Sequence, residues 1–154
     1  MYCIDSGALI DAWVRKYPPG FLPSLWKCID NLITNEMLLS SDEVLGELER
    51  GGDELYTWAI NHPTLFRPPT LMIQTRVAHI VNTFPTFLQQ WVPDGIWADP
   101  YVIALAQEVG AVVVTSEIIA PPNARHLKIP NICNSLGIRS LTPLQFFMEC
   151  GWRF

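Results

Sequence analysis

The stretch Asp99-Pro100-Tyr101-Val102-Ile103-Ala104-Leu105-Ala106-Gln107-Glu108-Val109-Gly110-Ala111-Val112-Val113-Val114-Thr115 decides the fold class. Asp99 has the form of an N-cap with Pro100 at the first helical position, where proline's missing N–H costs nothing. The apolar positions Val102, Ile103, Leu105, Ala106 and Val109 keep helical spacing, and Gly110 stops the helix. Ala111 to Thr115 then runs without a polar break and is mostly β-branched, the pattern of a strand covered on both faces in a parallel sheet.

Working outward, the same alternation recurs. Tyr2 to Asp5 reads as a short strand, Ser6-Gly7 as a turn, and Leu9, Ile10, Trp13 and Val14 as a helix face. After the Pro18-Pro19-Gly20 break, Phe21 to Asn35 forms an amphipathic helix through Leu22, Leu25, Trp26, Ile29, Leu32 and Ile33. Met37 to Leu39 is a second strand, and Ser40-x-x-Glu43 has the form of a capping box opening a helix with Val44, Leu45 and Leu48. Gly51-Gly52 closes that helix. Asp53 to Asn61 and Thr70 to Phe84 are helical, joined by a Pro-rich connector from His62 to Pro69. Pro121-Pro122-Asn123 marks a loop, Ile138 to Leu141 a last short strand, and Thr142-Pro143-x-Gln145 a capping box for a final helix. Strands alternating with helices imply a three-layer α/β/α arrangement around a central, mainly parallel sheet, with any site beyond the carboxyl ends of the strands.

The bulk properties narrow the function. A chain of 154 residues fits a single domain, 1–154. Hydrophobic residues make up 49% and charged residues 16%, with mean hydropathy +0.20, which is rich in apolar side chain and implies a partner surface. Acids at positions 5 and 11 interrupt the opening MYCIDSGALIDAW, so it matches neither a secretory leader nor a membrane span, and a soluble cytoplasmic protein is expected. Cys3, Cys28, Cys133 and Cys150 show no disulfide, zinc or redox spacing and read as reduced thiols. His62, His79 and His126 are too far apart in sequence to form a recognisable zinc motif. A net charge of −5 argues against a general nucleic-acid coat. A divalent-metal nuclease is still compatible, because its carboxylates are acidic and the metal supplies the positive charge.

Three acids fall where the α/β rule puts a site: Asp5 at the end of strand one, Asp99 at a helix start, and Glu117 after the buried strand. Glu47 lies on the third helix, one turn beyond Glu43. Each has a plainer account: Asp99 as an N-cap, Glu43 as a capping-box residue, Glu43 and Glu47 as a solvated face. Asp5 is the hardest to explain away, since a carboxylate directly after an apolar strand points into the crevice and its desolvation needs a reason.

In their order these segments resemble the PIN-domain family. Asp5-Ser6-Gly7-Ala8-Leu9-Ile10 is similar to its opening strand and turn, and Glu43-Val44-Leu45-Gly46-Glu47-Leu48 to its second motif, with Glu47 as the acid. Ala98-Asp99-Pro100-Tyr101-Val102-Ile103 is similar to the third motif and Val112-Val113-Val114-Thr115-Ser116-Glu117 to the fourth. Gly52-Asp53-Glu54-Leu55-x-x-Trp58 and Lys128-Ile129-Pro130-Asn131-Ile132-Cys133 resemble a bacterial PIN-like subgroup without assigned function. The resemblance implies an endoribonuclease whose Asp5, Glu47, Asp99 and Glu117 bind Mg²⁺ or Mn²⁺ and act in catalysis. Beside such a metal, Ser6, Thr115 and Ser116 are placed to orient carboxylates or touch phosphate, although hydroxyls at strand ends are more often local caps. Arg125, His126 and Lys128 are placed to hold an RNA phosphate, although solvated loop charge is the commoner role. The fourth acid is more often Asp, and the longer Glu117 can act through water. Similar proteins, VapC-type toxin ribonucleases among them, serve as the toxin of a toxin–antitoxin pair, dimerise, and are covered by an antitoxin protein.

Two rivals remain. A haloacid-dehalogenase-type phosphatase also begins with a strand ending in Asp, but Asp5-Ser6-Gly7 lacks its second Asp. A catalytically weak PIN-like scaffold would bind protein or RNA without cutting. The six tryptophans suit core or interface, with Trp58, Trp91 and Trp97 as partner anchors.

Overall fold

The computed structural model describes residues 1–87 and 97–153. Trp91, one of the three expected anchors, lies outside them. The elements are β1 (Tyr2–Ile4), α1 (Ser6–Ile10) continuing as a π-helix (Asp11–Lys16), α2 (Pro23–Thr34), β2 (Leu38–Ser41), α3 (Asp42–Glu49) and α4 (Glu54–Ile60). There follow β3 (Phe66–Arg67), α5 (Leu71–Thr83), α6 (Asp99–Val109), β4 (Val112–Val114), α7 (Ile129–Ser135), β5 (Ser140–Leu141) and α8 (Pro143–Glu149).

The five strands form one sheet in the order β3-β2-β1-β4-β5, and every pairing is parallel. Helices flank it, which is the three-layer α/β/α arrangement that the alternation implied. β1 is central, with Tyr2 in register with both Leu38 and Val112. Cys3, Ile4, Val113 and Val114 are buried, as are Ala98 and Val102 to Ala106 along α6. This explains why these segments carry no polar alternation. Helix α6 packs on β1, β2 and β4, so its first turn lies over the carboxyl ends of the central strands.

Four local features differ from the sequence reading. The connector expected as a loop contributes the edge strand β3, which pairs with β2 through Ser40 and Ser41. Two residues between prolines give no periodic signal, and an edge position tolerates those prolines. Helix α3 is capped by Ser41, which accepts from Glu43 N, while Ser40 stays in the strand and donates to Ile4 O at 2.6 Å. Asp99 is not the N-cap of α6: Ala98 occupies that position and Asp99 is the first helical residue. The first helix widens to a π-helix after Ile10. That winding brings both Arg15 and Lys16 onto the face of Asp11, at 3.0 and 2.7 Å.

Other expectations hold. Thr142 and Gln145 form the capping box of α8, Gly110 ends α6 with φ 67°, and all four cysteines are free. Among the described residues no helix is long and apolar enough to cross a membrane. Trp58 is half-buried in a cluster with Trp13, Trp26 and His62, and its indole donates to Asp30. Its exposed edge, not the whole ring, is what remains for a partner.

Candidate metal centre

Asp5 leaves the end of β1 by continuing the sheet: its N donates to Val114 O at 3.0 Å. Its side chain then turns back to cap α1, accepting from Ala8 N at 2.6 Å through Oδ1. Oδ2 accepts from Thr115 Oγ1, also at 2.6 Å. The residue is 3% exposed. Burial pushes its carboxyl up to about 7; the two donors oppose this, and the nearby charges of Asp99 and Glu117 add to it. Gly7 places no side chain against the carboxylate, and a Cβ there would lie 3.6 and 3.7 Å from its two oxygens.

Asp99 reaches the same crevice from α6. Trp97, which packs on Phe87, donates its indole N–H to Asp99 Oδ2 at 3.1 Å. Burial again pushes this carboxyl up to about 7, Glu117 and Glu47 raise it further, and Trp97 and Lys128 counteract. Asp5 is thus raised by Asp99 and Glu117, and Asp99 by Glu117 and Glu47, although these acids are far apart in sequence. Among the described residues no basic side chain forms an ion pair with Asp5 or Asp99; the nearby Lys128 pairs with Glu117 instead.

Glu47 bridges α1 to α6. Oε2 accepts from Ser6 Oγ at 2.5 Å and Oε1 from Ala98 N at 3.0 Å, so this acid positions the start of the Asp99 helix. Glu117 is held on the other side. Its Oε2 accepts from Ile129 N at 2.7 Å, its Oε1 from Lys128 Nζ at 3.4 Å, and its own N donates to Thr115 Oγ1. The extra methylene relative to Asp is what lets it reach the start of α7.

The other expected site residues divide. Ser6, Thr115 and Lys128 touch the cluster as described, the hydroxyls orienting carboxylates. Ser116 lies beside Asp11 instead, and its buried hydroxyl has no hydrogen-bond partner among the described residues. Arg125 is exposed and among the described residues has no bond to the four acids. Sequence reasoning missed Trp97, Gly7 and the backbone N–H groups of Ala98 and Ile129, because no residue type announces a main-chain donor. It also set Glu43 aside as a cap. Glu43 and its neighbour Asp42 both have raised carboxyls, chiefly through burial, and the hydroxyl of half-buried Tyr101 is raised first by desolvation and then by their charges, extending the acidic strip towards α6.

Among the described residues no group of three or more acidic, His or Cys side chains is already disposed as ligands around one point. The chemistry nonetheless suits a hard divalent ion. The donors are all oxygen and the two central carboxylates are costly to ionise unaided.

A family model described as a domain of unknown function (DUF4411) matches residues 2–154, and the chain belongs to that family. No curated protein matches it.

Proposed function

We propose that this DUF4411-family chain is a Mg²⁺- or Mn²⁺-dependent endoribonuclease that hydrolyses RNA phosphodiester bonds at Asp5, Glu47, Asp99 and Glu117. One observation carries the reading: Asp5, just after β1, and Asp99, at the start of α6, are near enough for Asp99 to raise the Asp5 carboxyl. Both are pushed up to about 7, chiefly by burial, and among the described residues neither forms an ion pair with a basic side chain. Such an arrangement is expensive for folding and is characteristic of sites that bind or react. A bound divalent ion would supply positive charge for the phosphate and a water of lowered pKa.

The chain's own contributions follow from the geometry. Asp5 is held at both oxygens, by Ala8 N and the Thr115 hydroxyl, so its carboxylate cannot rotate away. Glu47 fixes Ala98 and with it the first turn of α6 that carries Asp99. Trp97 orients Asp99 through its indole N–H. Lys128, 48% exposed at its side chain, is placed to meet an RNA phosphate beside the acids. Substrate phosphate without a cation would be repelled by this cluster, which accounts for the metal requirement.

The test is cleavage of a labelled single-stranded RNA panel with Mn²⁺, with Mg²⁺ and with chelator. Cutting that needs the metal and disappears in Asp5→Asn supports the reading; cutting at the wild-type rate by Asp5→Asn refutes it. A binding-only scaffold is the second reading, favoured by the absence of a ready-made ligand group among the described residues. RNA retention without metal-dependent cutting would establish that reading instead.

The same proposal extends to biology as a toxin paired with an antitoxin that covers the acidic crevice, and to a homodimer. Large exposed apolar side chains support association: Phe21, Leu71, Ile118 and Met148 are 77%, 80%, 79% and 69% exposed. Light scattering is expected to report at least a dimer, and a strict monomer at high concentration would remove that part.

A further inference from the structure

Beside the acids, at the carboxyl ends of β4 and β5, lies a separate cavity of about 180 Å³. Its exposed lining is mainly apolar, from Ile118, Ile119, Pro130 and Leu141, with Ser140, Thr142 and Gln145 as neutral polar neighbours. Thr115 and Glu117 also line it, so the cavity shares a wall with the candidate metal centre. Thr115 Oγ1 donates to Asp5 and accepts from Glu117 N, which makes this shared wall rigid.

Ile118 and Ile119 are 79% and 54% exposed, an arrangement that costs free energy unless something covers them. They are not loose. Glu117 is fastened to Ile129 N, and Asn131 holds Ala120 at both its N and its O, at 2.9 and 3.0 Å. The two isoleucines are thus pinned at either end in an exposed position above the slot. Gln145 is oriented too, since Thr142 N donates to its Oε1 at 2.9 Å, leaving its NH₂ group as a donor.

Resting on the ribonuclease reading, we propose that this slot receives one unpaired nucleobase of the RNA, from the nucleotide adjoining the scissile phosphate. Three properties select a base. The lining is mainly apolar and, among the described residues, its one charged side chain is Glu117, so a neutral heterocycle fits and a phosphate does not. The volume lies below the roughly 300 Å³ at which pockets for larger ligands begin, so it admits a single ring system and excludes a base pair. The shared wall with Glu117 places the occupant next to the acids, and the bases that protein pockets take up in this way are the unstacked ones of single-stranded RNA, loops and bulges. The substrate is therefore single-stranded or locally unpaired RNA.

The experiment uses the full chain and the double variant Ile118→Ser/Ile119→Ser, which alters exposed side chains outside the carboxylate cluster. Cut sites are mapped on an RNA panel, and each nucleotide flanking the cut is then replaced by an abasic residue. The wild type is expected to cut the base-bearing RNA about tenfold faster than the abasic one at one flanking position, the size of one buried apolar face. The double variant is expected to lose that ratio by slowing on the base-bearing RNA alone. An unchanged ratio, with cutting still abolished by Asp5→Asn, overturns the slot and leaves the nuclease standing. If neither protein cuts RNA, the nuclease reading fails, and the slot is judged by titrating neutral nucleosides without metal while following backbone amide resonances. Shifts confined to residues 118, 119 and 141 in the wild type and absent in the double variant support a base site; no shifts there overturn it.

Discussion

Asp5 and Asp11 lie six residues apart at the two ends of one helical segment, and both are buried, at 3% and 8% exposure. Their electrostatics run in opposite directions. Asp11 is paired with Lys16 and Arg15 from the next turn, and its carboxyl lies below the ordinary range, chiefly through Lys16. Asp5 has two neutral donors and acidic neighbours, and stands near 7. Burial alone therefore does not distinguish a structural acid from a reactive one. What distinguishes them is whether a basic side chain supplies the balancing charge: Lys16 and Arg15 do at Asp11, and among the described residues none does at Asp5.

The largest expected effect tests that distinction directly. In single-turnover cleavage at fixed Mn²⁺, Asp5→Asn and Asp99→Asn should lose at least about a hundredfold, as expected when a preorganised charged group is removed from a reacting site. Asp11→Asn should remain within a few-fold of wild type. Equal losses at positions 5 and 11 would mean that the contrast reports folding and not chemistry.

Next comes pH. The folded Asp5 and Asp99 carboxyls bind protons more tightly than in the unfolded chain, so without divalent ions their contribution favours the fold at low pH. That contribution is lost as pH rises from about 4 through about 7, amounting to on the order of a few kcal/mol. Asp11 has the opposite sign: its stabilisation is present above the ordinary carboxylate range and lost as pH falls below it. Thermal melts with chelator should show the fall towards neutral pH, and Mn²⁺ should reverse it increasingly as pH rises. Asp5→Asn should flatten both trends, while Asp11→Asn should leave them in place. A metal-induced shift of the same size in wild type and Asp5→Asn would remove Asp5 from the site.

Gly7→Ala separates stability from site access. Gly7 lies in α1 without a left-handed backbone, so alanine should stabilise the helix by about 0.5–1 kcal/mol. Its methyl group would sit against both Asp5 oxygens at ordinary contact distance. A higher Tm in chelator together with a smaller Mn²⁺ shift is expected; an undiminished shift would show that the ion approaches from elsewhere.

The smallest effect concerns Glu117. Glu117→Gln should leave residual cutting, because its oxygens already serve Ile129 N and Lys128. Glu117→Asp is too short to keep that bond to α7 and should cost about 1 kcal/mol, the usual value of a lost helix cap. Its freed carboxylate should preserve or raise cutting. Destabilisation together with lost cutting would make Glu117 a fastening for α7 and nothing more.

Much of this architecture was legible in residue order. The β-branched run ending at Thr115, the helix from Asp99 to Gly110 and the acid closing β1 carry their own local signals, because periodicity and caps act between neighbours. An all-parallel sheet follows from strands alternating with helices, and the site at its carboxyl edge follows from that. β3 was not legible, since two residues hold no period, nor was Ser41 as a cap beside an equally suitable Ser40. The two aspartates show the deeper limit. As letters, Asp5 and Asp11 are alike, each set among apolar residues. Their difference arises from contacts across the chain: Thr115 on Asp5, Asp99 and Glu117 beside it, and a π-wound turn that delivers Arg15 and Lys16 to Asp11. Local sequence sets which elements form and in what order, whereas a carboxyl's charge state depends on every donor, charge and water within a few ångströms, and only the folded chain determines those.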